Sequence, residues 1–529
     1  MLKASFPQWG LTAVLPEGAT VAEAFAAVGH PLDLVCGGKG LCGKCLVEVT
    51  DHRGTQTVCA CQTSLTDSME LRVVAERQVL RILDAHGDDL PPDYPPVCEP
   101  NLRYAAACDL GTTSVVLYLY DRKERRRLGS WSALNRQTAL GADVVARLQG
   151  AMDGALRHTL QEKAVETIEG LLLEGTAACT LPSDCVSELV IAGNSAMEHL
   201  LLGHPVEQLA RAPFRCHRED TVTCLGATLG FQLVPNAMVT CLPLIGGFVG
   251  GDTVAALLAE NAARSEALTL LIDLGTNGEL VLGNCRRRLA ASAAAGPAME
   301  GAGIVCGMRG AAGAIQRVAF TTDAVHLDVI GGGRARGICG SGLVDLLAEL
   351  VRVKAVSPQG RLADADSFLA QGGAAHLAAR LVDAAGQRAF VVAEGQTPVT
   401  LYQSDIRAMQ VSKGAIAAAA LLLLSAYGIP GTDLGEIQLA GAFGNYIDAK
   451  SACAIGLIPD FPGVPIRLVG NAAGKGAQQY LLSAEKRQEA AVLAAETAHL
   501  DLASLPDFTM TYAMCMALRP LSELDFEEF

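Results

Sequence analysis

Even the most apolar stretch of this 529-residue sequence is too short to be expected to cross a bilayer. The most apolar run, Ala415 to Tyr427, begins just after Lys413 and reads as a buried helix. Positive charge is also scarce: 41 Lys and Arg face 56 Asp and Glu, for a formal net charge of −15. That balance repels a phosphate backbone, and the one basic run, Arg122 to Arg127, is short enough to be a solvated hairpin tip. Neither nucleic acid nor membrane is an expected partner. Aromatic residues make up only 5% of the chain while half of it is hydrophobic, so the cores are aliphatic, and a chain this long divides them among two to four compact units. The opening MLKASFPQWG has no apolar leader, and most of the 17 cysteines are scattered singly rather than spaced as a disulfide framework. A reducing, cytoplasmic setting is expected.

Cysteine is concentrated in one place. Cys36, Cys42 and Cys45 lie in CGGKGLCGKC, and Cys59 and Cys61 follow in VCACQT. Thiolates are the ligands iron demands, and the intervening glycines let the backbone bend and aim N–H groups at sulfur. The pattern predicts a loop around a 2Fe-2S cluster. Its five-then-two spacing departs from the plant pattern and resembles the adrenodoxin-type ferredoxins in the first three ligands, although the fourth cysteine comes sooner. A four-cysteine zinc site fits less well, because zinc ribbons use two knuckles of similar spacing. Cys59 and Cys61 could each close the site; the ACQT context favours Cys61 and leaves Cys59 to packing. Strand patterns at Leu11 to Leu15, Cys45 to Thr50 and Met69 to Val74, with a helical stretch after Thr20, predict a β-grasp ferredoxin over residues 1–75. Residues 76–103 turn charged and then proline-rich, as a linker does.

Beyond the linker, apolar strands alternate with Ala/Leu helices to about Leu500, an α/β pattern, and an acidic tail follows. An internal echo organises this part: ACDLGTT at Ala107 to Thr113 recurs as LIDLGTNGE at Leu271 to Glu279. In each copy Gly and Thr allow a tight hairpin whose N–H and hydroxyl groups can grip phosphate oxygens, here Gly111, Thr112 and Thr113, then Gly275, Thr276 and Asn277. Asp109 and Asp273 can hold magnesium through water. One such motif is also an ordinary turn; two facing one cleft carry more weight. A third run, LAGAFG at Leu439 to Gly444, offers Gly441, Ala442 and Gly444 for close approach to a flat adenine. In this order the three runs resemble the two phosphate motifs and the adenosine motif of the actin, sugar-kinase and heat-shock ATPase superfamily. The resemblance implies a two-lobed RNase H-like ATPase, with lobes at 104–262 and 263–529, that binds ATP and Mg2+. It also gives Asp252, in FVGGDTVAALL, the place of an acid near the attacking water, the plain alternative being a helix N-cap. Glu279 could assist metal or water. AGNSAMEH, Ala192 to His199, puts Asn194 and Ser195 at a helix start where a γ-phosphate could sit, and His199 reads as a helix residue rather than a metal ligand.

A ferredoxin fused to such an ATPase resembles the reductive activators of corrinoid enzymes. Further runs similar to that family's are NRQTALGADVVAR at Asn135 to Arg147, AGPAMEGAGI at Ala295 to Ile304, GICGSG at Gly337 to Gly342, DIRAMQVSKGAI at Asp405 to Ile416 and GNAAGKGA at Gly470 to Ala477. The resemblance implies that the protein uses ATP to reduce cobalt(II) of an inactivated corrinoid protein to cobalt(I) for methyl transfer. Its implied partners are that corrinoid protein and an external electron donor, with a homodimer among the expected assemblies. A plant-type cluster sits at about −400 mV, and the family's cobalt couple lies lower, so the electron goes uphill. Here only a short linker separates Val74 from Asp109, so contacts that longer relatives make through an extra domain at that point do not carry over. Two other readings stay open: an ATP-driven donor to a different low-potential enzyme, and a redox-sensing metabolite kinase or binding module.

Overall fold

The computed structural model describes residues 1–30, 32, 45–52, 54–73, 103–441 and 446–524. Cys36, Cys42, Ala442, Gly444 and nearly all of the linker lie outside the described residues.

The N-terminal sheet runs β2-β1-β5-β3-β4, with β1 Leu2–Phe6, β2 Leu11–Leu15, β3 Leu46–Asp51, β4 Gly54–Cys59 and β5 Met69–Val73. β1 pairs parallel with β5 and the remaining pairs are antiparallel, the β-grasp arrangement. The helix Val21–Ala27 starts where TVAE predicts: Thr20 Oγ1 accepts from Glu23 N–H at 3.2 Å, and the Glu23 carboxylate accepts from Thr20 N–H at 2.6 Å. This capping box turns Phe25 onto Phe6, edge to face with ring centroids 4.9 Å apart. Both rings are fully buried, each contributing about 2–3 kcal/mol. The core of this unit draws only on residues between Ala4 and Leu71 among the buried hydrophobics.

The echo in the sequence becomes two sheets of one design. In the first, β6 Tyr104–Leu110, β7 Ser114–Asp121 and β8 Arg126–Leu134 form a meander, and β9 Val186–Gly193 and β11 Met238–Cys241 extend it in parallel on the other side of β6, with β10 Val222–Leu225 at the edge. In the second, β12 Thr269–Leu274, β13 Gly278–Gly283 and β14 Arg288–Ala293 repeat the meander, and β21 Glu436–Ala440 and β22 Ile466–Gly470 repeat the parallel side. The short β23 Thr497–His499 runs beside β14. Two three-stranded sheets, β15 Ala314–Phe320 with β16 Val325–Val329 and β17 Gly337–Ile338, and β18 Leu381–Ala384 with β19 Gln387–Ala393 and β20 Val399–Tyr402, are inserted into the second design. The basic run falls at the β7–β8 hairpin, as expected, and Arg122 there pairs with Glu188.

The most apolar run extends into a longer helix than expected, Gln403–Tyr427, which by length and composition alone could cross a membrane, but 78% of its apolar window is buried in the protein, as in a core helix. The segment after Asp501 is more ordered than its composition suggests: the helix Phe508–Cys515 packs on Gln403–Tyr427. Lys413 is fully buried beneath it and donates through Nζ to the carbonyls of Gly456 and Ala517, at 3.1 and 2.6 Å. Burial lowers its pKa to about 7. The helix Ala472–Leu482 belongs to the second half of the sequence yet packs on β6, β9 and the helix Gly251–Ala259. Gly476 makes this possible, since a Cβ there would stand 1.7 Å from the Ala255 carbonyl oxygen. Ala105, Val190 and Leu258 therefore share one core with Leu271, Val281 and Leu481.

Candidate functional site

Equivalent hairpins bring the two echoed motifs to one cavity of about 310 Å³. Asp109 stands one residue before the end of β6, opposite Val116 and beside Ala192. Asp273 has the same place in β12, opposite Glu279 and beside Ala440. Gly111, Thr112 and Thr113 from the first hairpin and Gly275, Thr276 and Asn277 from the second line the cavity, with Asn194, Asp252, Glu279 and Gly441. Gly441 has φ +95°, and a Cβ there would meet Asp273 Oδ1 at 2.6 Å, so only glycine lets the end of β21 lie this close to the acid.

The carboxylates face the cavity rather than bulk water, and no basic side chain pairs with Asp109, Asp252, Asp273 or Glu279 among the described residues. Burial is the leading cause of their raised pKa values: about 6 for Asp109, about 7 for Asp252, about 8 for Asp273, and well above the usual range for Glu279. Mutual repulsion raises the last three further. Asp273 and Glu279 are direct cross-strand neighbours, a pairing that disfavours two negative charges. An all-oxygen set of this kind fits a hard divalent cation such as magnesium.

Asp252 lies in the first turn of Gly251–Ala259, two residues past the N-cap position Gly250, so it is not the N-cap residue. Its Oδ1 accepts from Thr253 N–H at 2.7 Å. Asn194 caps the helix Ser195–Leu201 through Oδ1, and its Nδ2 donates to Thr112 Oγ1 at 3.0 Å. Ser195 does not reach the cavity: it is buried and donates to the Gly246 carbonyl at 2.7 Å. His199 is structural, with its ring nitrogens 2.6 Å from the Ser195 carbonyl oxygen and 2.9 Å from the His217 N–H, which it accepts.

Two residues that sequence reasoning left without a role belong to this site. Asn471, at the start of the helix Ala472–Leu482, donates through Nδ2 to Asp109 Oδ2 at 2.8 Å while its Oδ1 caps Gly474 N–H. Glu300 accepts from Thr113 and Thr276, one hydroxyl from each hairpin. Both sit in runs that resemble the family's, GNAAGKGA and AGPAMEGAGI, which is the only signal the sequence offers for them.

In the N-terminal unit the sulfurs of Cys45, Cys59 and Cys61 lie within 4.8 Å of one another, with Cys45 and Cys59 at 3.7 Å. Cys59 thus lies beside two of the expected ligands while also packing against the core of this unit. Burial pushes the Cys45 thiol up to about 12, so it stays protonated unless a metal displaces the proton. Converging thiols of this kind suit a soft metal centre.

Residues 104–265 match the family model described as the RACo middle region, and residues 267–528 match the C-terminal domain of RACo, the ASKHA domain. The corrinoid activation enzyme RamQ of Eubacterium limosum is 36% identical over 569 aligned residues, covering 93% of this chain and 95% of that protein. A Co(II) methylated amine-specific corrinoid protein reductase of Methanosarcina barkeri is 24% identical, covering 68% of this chain and 66% of that one. Among solved structures, a reductive activator for corrinoid, iron-sulfur protein superposes with a TM-score of 0.72 at 26% identity, covering 98% of this chain and 99% of the other. With both family models matched and that identity sustained along the chain, this protein belongs to the RACo family of reductive activators of corrinoid proteins.

Proposed function

We propose that the protein returns an inactivated corrinoid protein to the methyl-transfer cycle by reducing its cobalt(II) to cobalt(I) with one electron, at the expense of ATP. The observation that carries this is 36% identity to a corrinoid activation enzyme across 93% of the chain, ferredoxin unit and ATPase lobes together. The electron centre is read as a 2Fe-2S cluster on Cys36, Cys42, Cys45 and Cys61, which when bound supplies one electron at a time at low potential. Each turnover removes that electron, so an external donor must restore it. Every described cysteine is a free thiol, in keeping with a reducing cytoplasm.

At the other site, Asp109 and Asp273, with Glu279 beside them, are the groups to hold Mg2+, which when bound balances phosphate charge. Gly111 to Thr113, Gly275 to Asn277 and Asn194, which line the cavity, are the groups that would donate to the phosphates, and Gly441 is the one that would let an adenine approach. Asp252 Oδ1 is held by the Thr253 N–H, leaving Oδ2 to take a proton from the attacking water. A potential gap on the order of 200 mV costs roughly 5 kcal/mol per electron, within reach of a nucleotide-driven change of conformation.

The test is spectroscopic: cobalt(II) corrinoid proteins of several methyl-transfer systems are mixed with reductant, this protein and ATP, and the cobalt(I) absorption is followed. ATP-dependent cobalt(I) with at least one of them is expected. Its absence from all of them would defeat the proposal.

A further inference from the structure

The two phosphate loops are tied together by a carboxylate that belongs to neither. Glu300 closes the short 3-10 turn Pro297–Glu300 that follows the second meander. Its Oε2 accepts from Thr113 Oγ1 at 2.8 Å and its Oε1 from Thr276 Oγ1 at 2.7 Å. The two hydroxyls are themselves 3.2 Å apart, so one carboxylate spans both hairpins. Each hydroxyl has a single proton to donate. It can go to Glu300 or to a phosphate oxygen, but not to both at once. Glu300 also shares the cavity with Asp109, Asp252, Asp273 and Glu279, so an arriving phosphate meets a fifth acidic group where the loops offer their donors.

We propose that Glu300 is a positioning residue that stands in for a nucleotide phosphate: it clasps Thr113 to Thr276 when the cavity is empty and is exchanged for phosphate oxygens when nucleotide binds. The inference rests on reading the cavity as a nucleotide site. In the exchange no covalent bond changes; two O–H donors turn from a carboxylate to a phosphate, and the freed carboxylate must move away from it. The clasp keeps two hairpins from different lobes in register without ligand, and it weakens nucleotide affinity by the strength of the bonds that binding must break. Release of spent nucleotide is correspondingly assisted, because Glu300 re-forms both bonds as phosphate leaves.

Calorimetric titration of the full chain and of E300A and E300Q with Mg2+ and either ADP or a non-hydrolysable ATP analogue tests this. E300A should bind at least tenfold more tightly, since release of even one hydrogen bond to a charged acceptor is worth about that much. E300Q should fall between, since its amide still accepts one hydroxyl but carries no charge. The KM for ATP should drop in step with the dissociation constant. Should E300A not fold, the nearly isosteric E300Q carries the test alone. Equal or weaker binding by E300Q, with wild-type binding intact, overturns the inference while leaving the nucleotide site standing. So does a fall in kcat at unchanged KM, which would make Glu300 a group acting on the attacking water. If the wild type binds neither nucleotide, the site reading fails and the inference fails with it.

Discussion

Cys59 and Cys61 stand on either side of Ala60 at the end of β4, and both sulfurs reach the neighbourhood of Cys45. Cys61 is 9% exposed, and its N–H donates to the Cys45 sulfur, whereas Cys59 is half-buried at the strand end. We expect Cys61→Ser to abolish or strongly perturb the two-iron electron paramagnetic resonance signal and Cys59→Ser to leave it nearly intact; the reverse pattern would make Cys59 the fourth ligand. Asn471 offers a second test at this scale. Its bond to Asp109 and its cap on Gly474 tie the acid at the end of β6 to the start of the helix Ala472–Leu482. A hydrogen bond to a charged group contributes about 1.5–3 kcal/mol, so Asn471→Ala should lower kcat/KM for ATP hydrolysis by roughly tenfold or more. An unchanged value would show that the other contacts of Asp109 suffice.

At the scale of elements, the carboxylates on β6, β12, β13 and the first turn of Gly251–Ala259 form one titrating unit. Their native pKa values lie above those of an unfolded chain, so between roughly pH 4 and pH 8 the native state keeps protons that the unfolded chain has released. Native stability without metal should therefore fall as pH rises through that window. Saturating Mg2+ with nucleotide, which favours the charged forms, should flatten the fall or reverse it. Thermal melting between pH 5 and pH 8 with and without both ligands checks the sign; a metal-free protein that gains stability steadily with pH contradicts the burial argument. These elements also show what the sequence displays. Asp-Leu-Gly-Thr is legible because a hairpin needs Gly and a phosphate grip needs Thr within a few residues, and the capping box TVAE is legible for the same local reason. Asn471 and Glu300 are not, because each is a single polar residue with a partner 362 or 187 positions away. The ordered packing after Asp501 is hidden likewise: it depends on Lys413, a charge that composition alone would place at the surface.

For the whole molecule, the decisive question is coupling. The ferredoxin unit has its own core, so Asp109→Ala should leave the cluster spectrum unchanged while abolishing ATP hydrolysis. Cobalt(I) yield should then fall to what the potentials alone allow, about tenfold for each 59 mV of unfavourable gap. A variant with an intact cluster, no ATPase activity and full cobalt(I) yield would separate the two halves functionally.

The buried ammonium of Lys413 has a consequence for how the protein is made. One of its two carbonyl partners, Ala517, is encoded 104 residues downstream. At roughly 5–20 residues per second, a ribosome needs about 5 to 20 s to deliver that partner after Lys413 is synthesised. For that interval the helix Gln403–Tyr427 cannot settle with the charge fully solvated by protein. The second lobe is thus completed late in translation, while the N-terminal unit, whose described strands end at Val73, has long been synthesised.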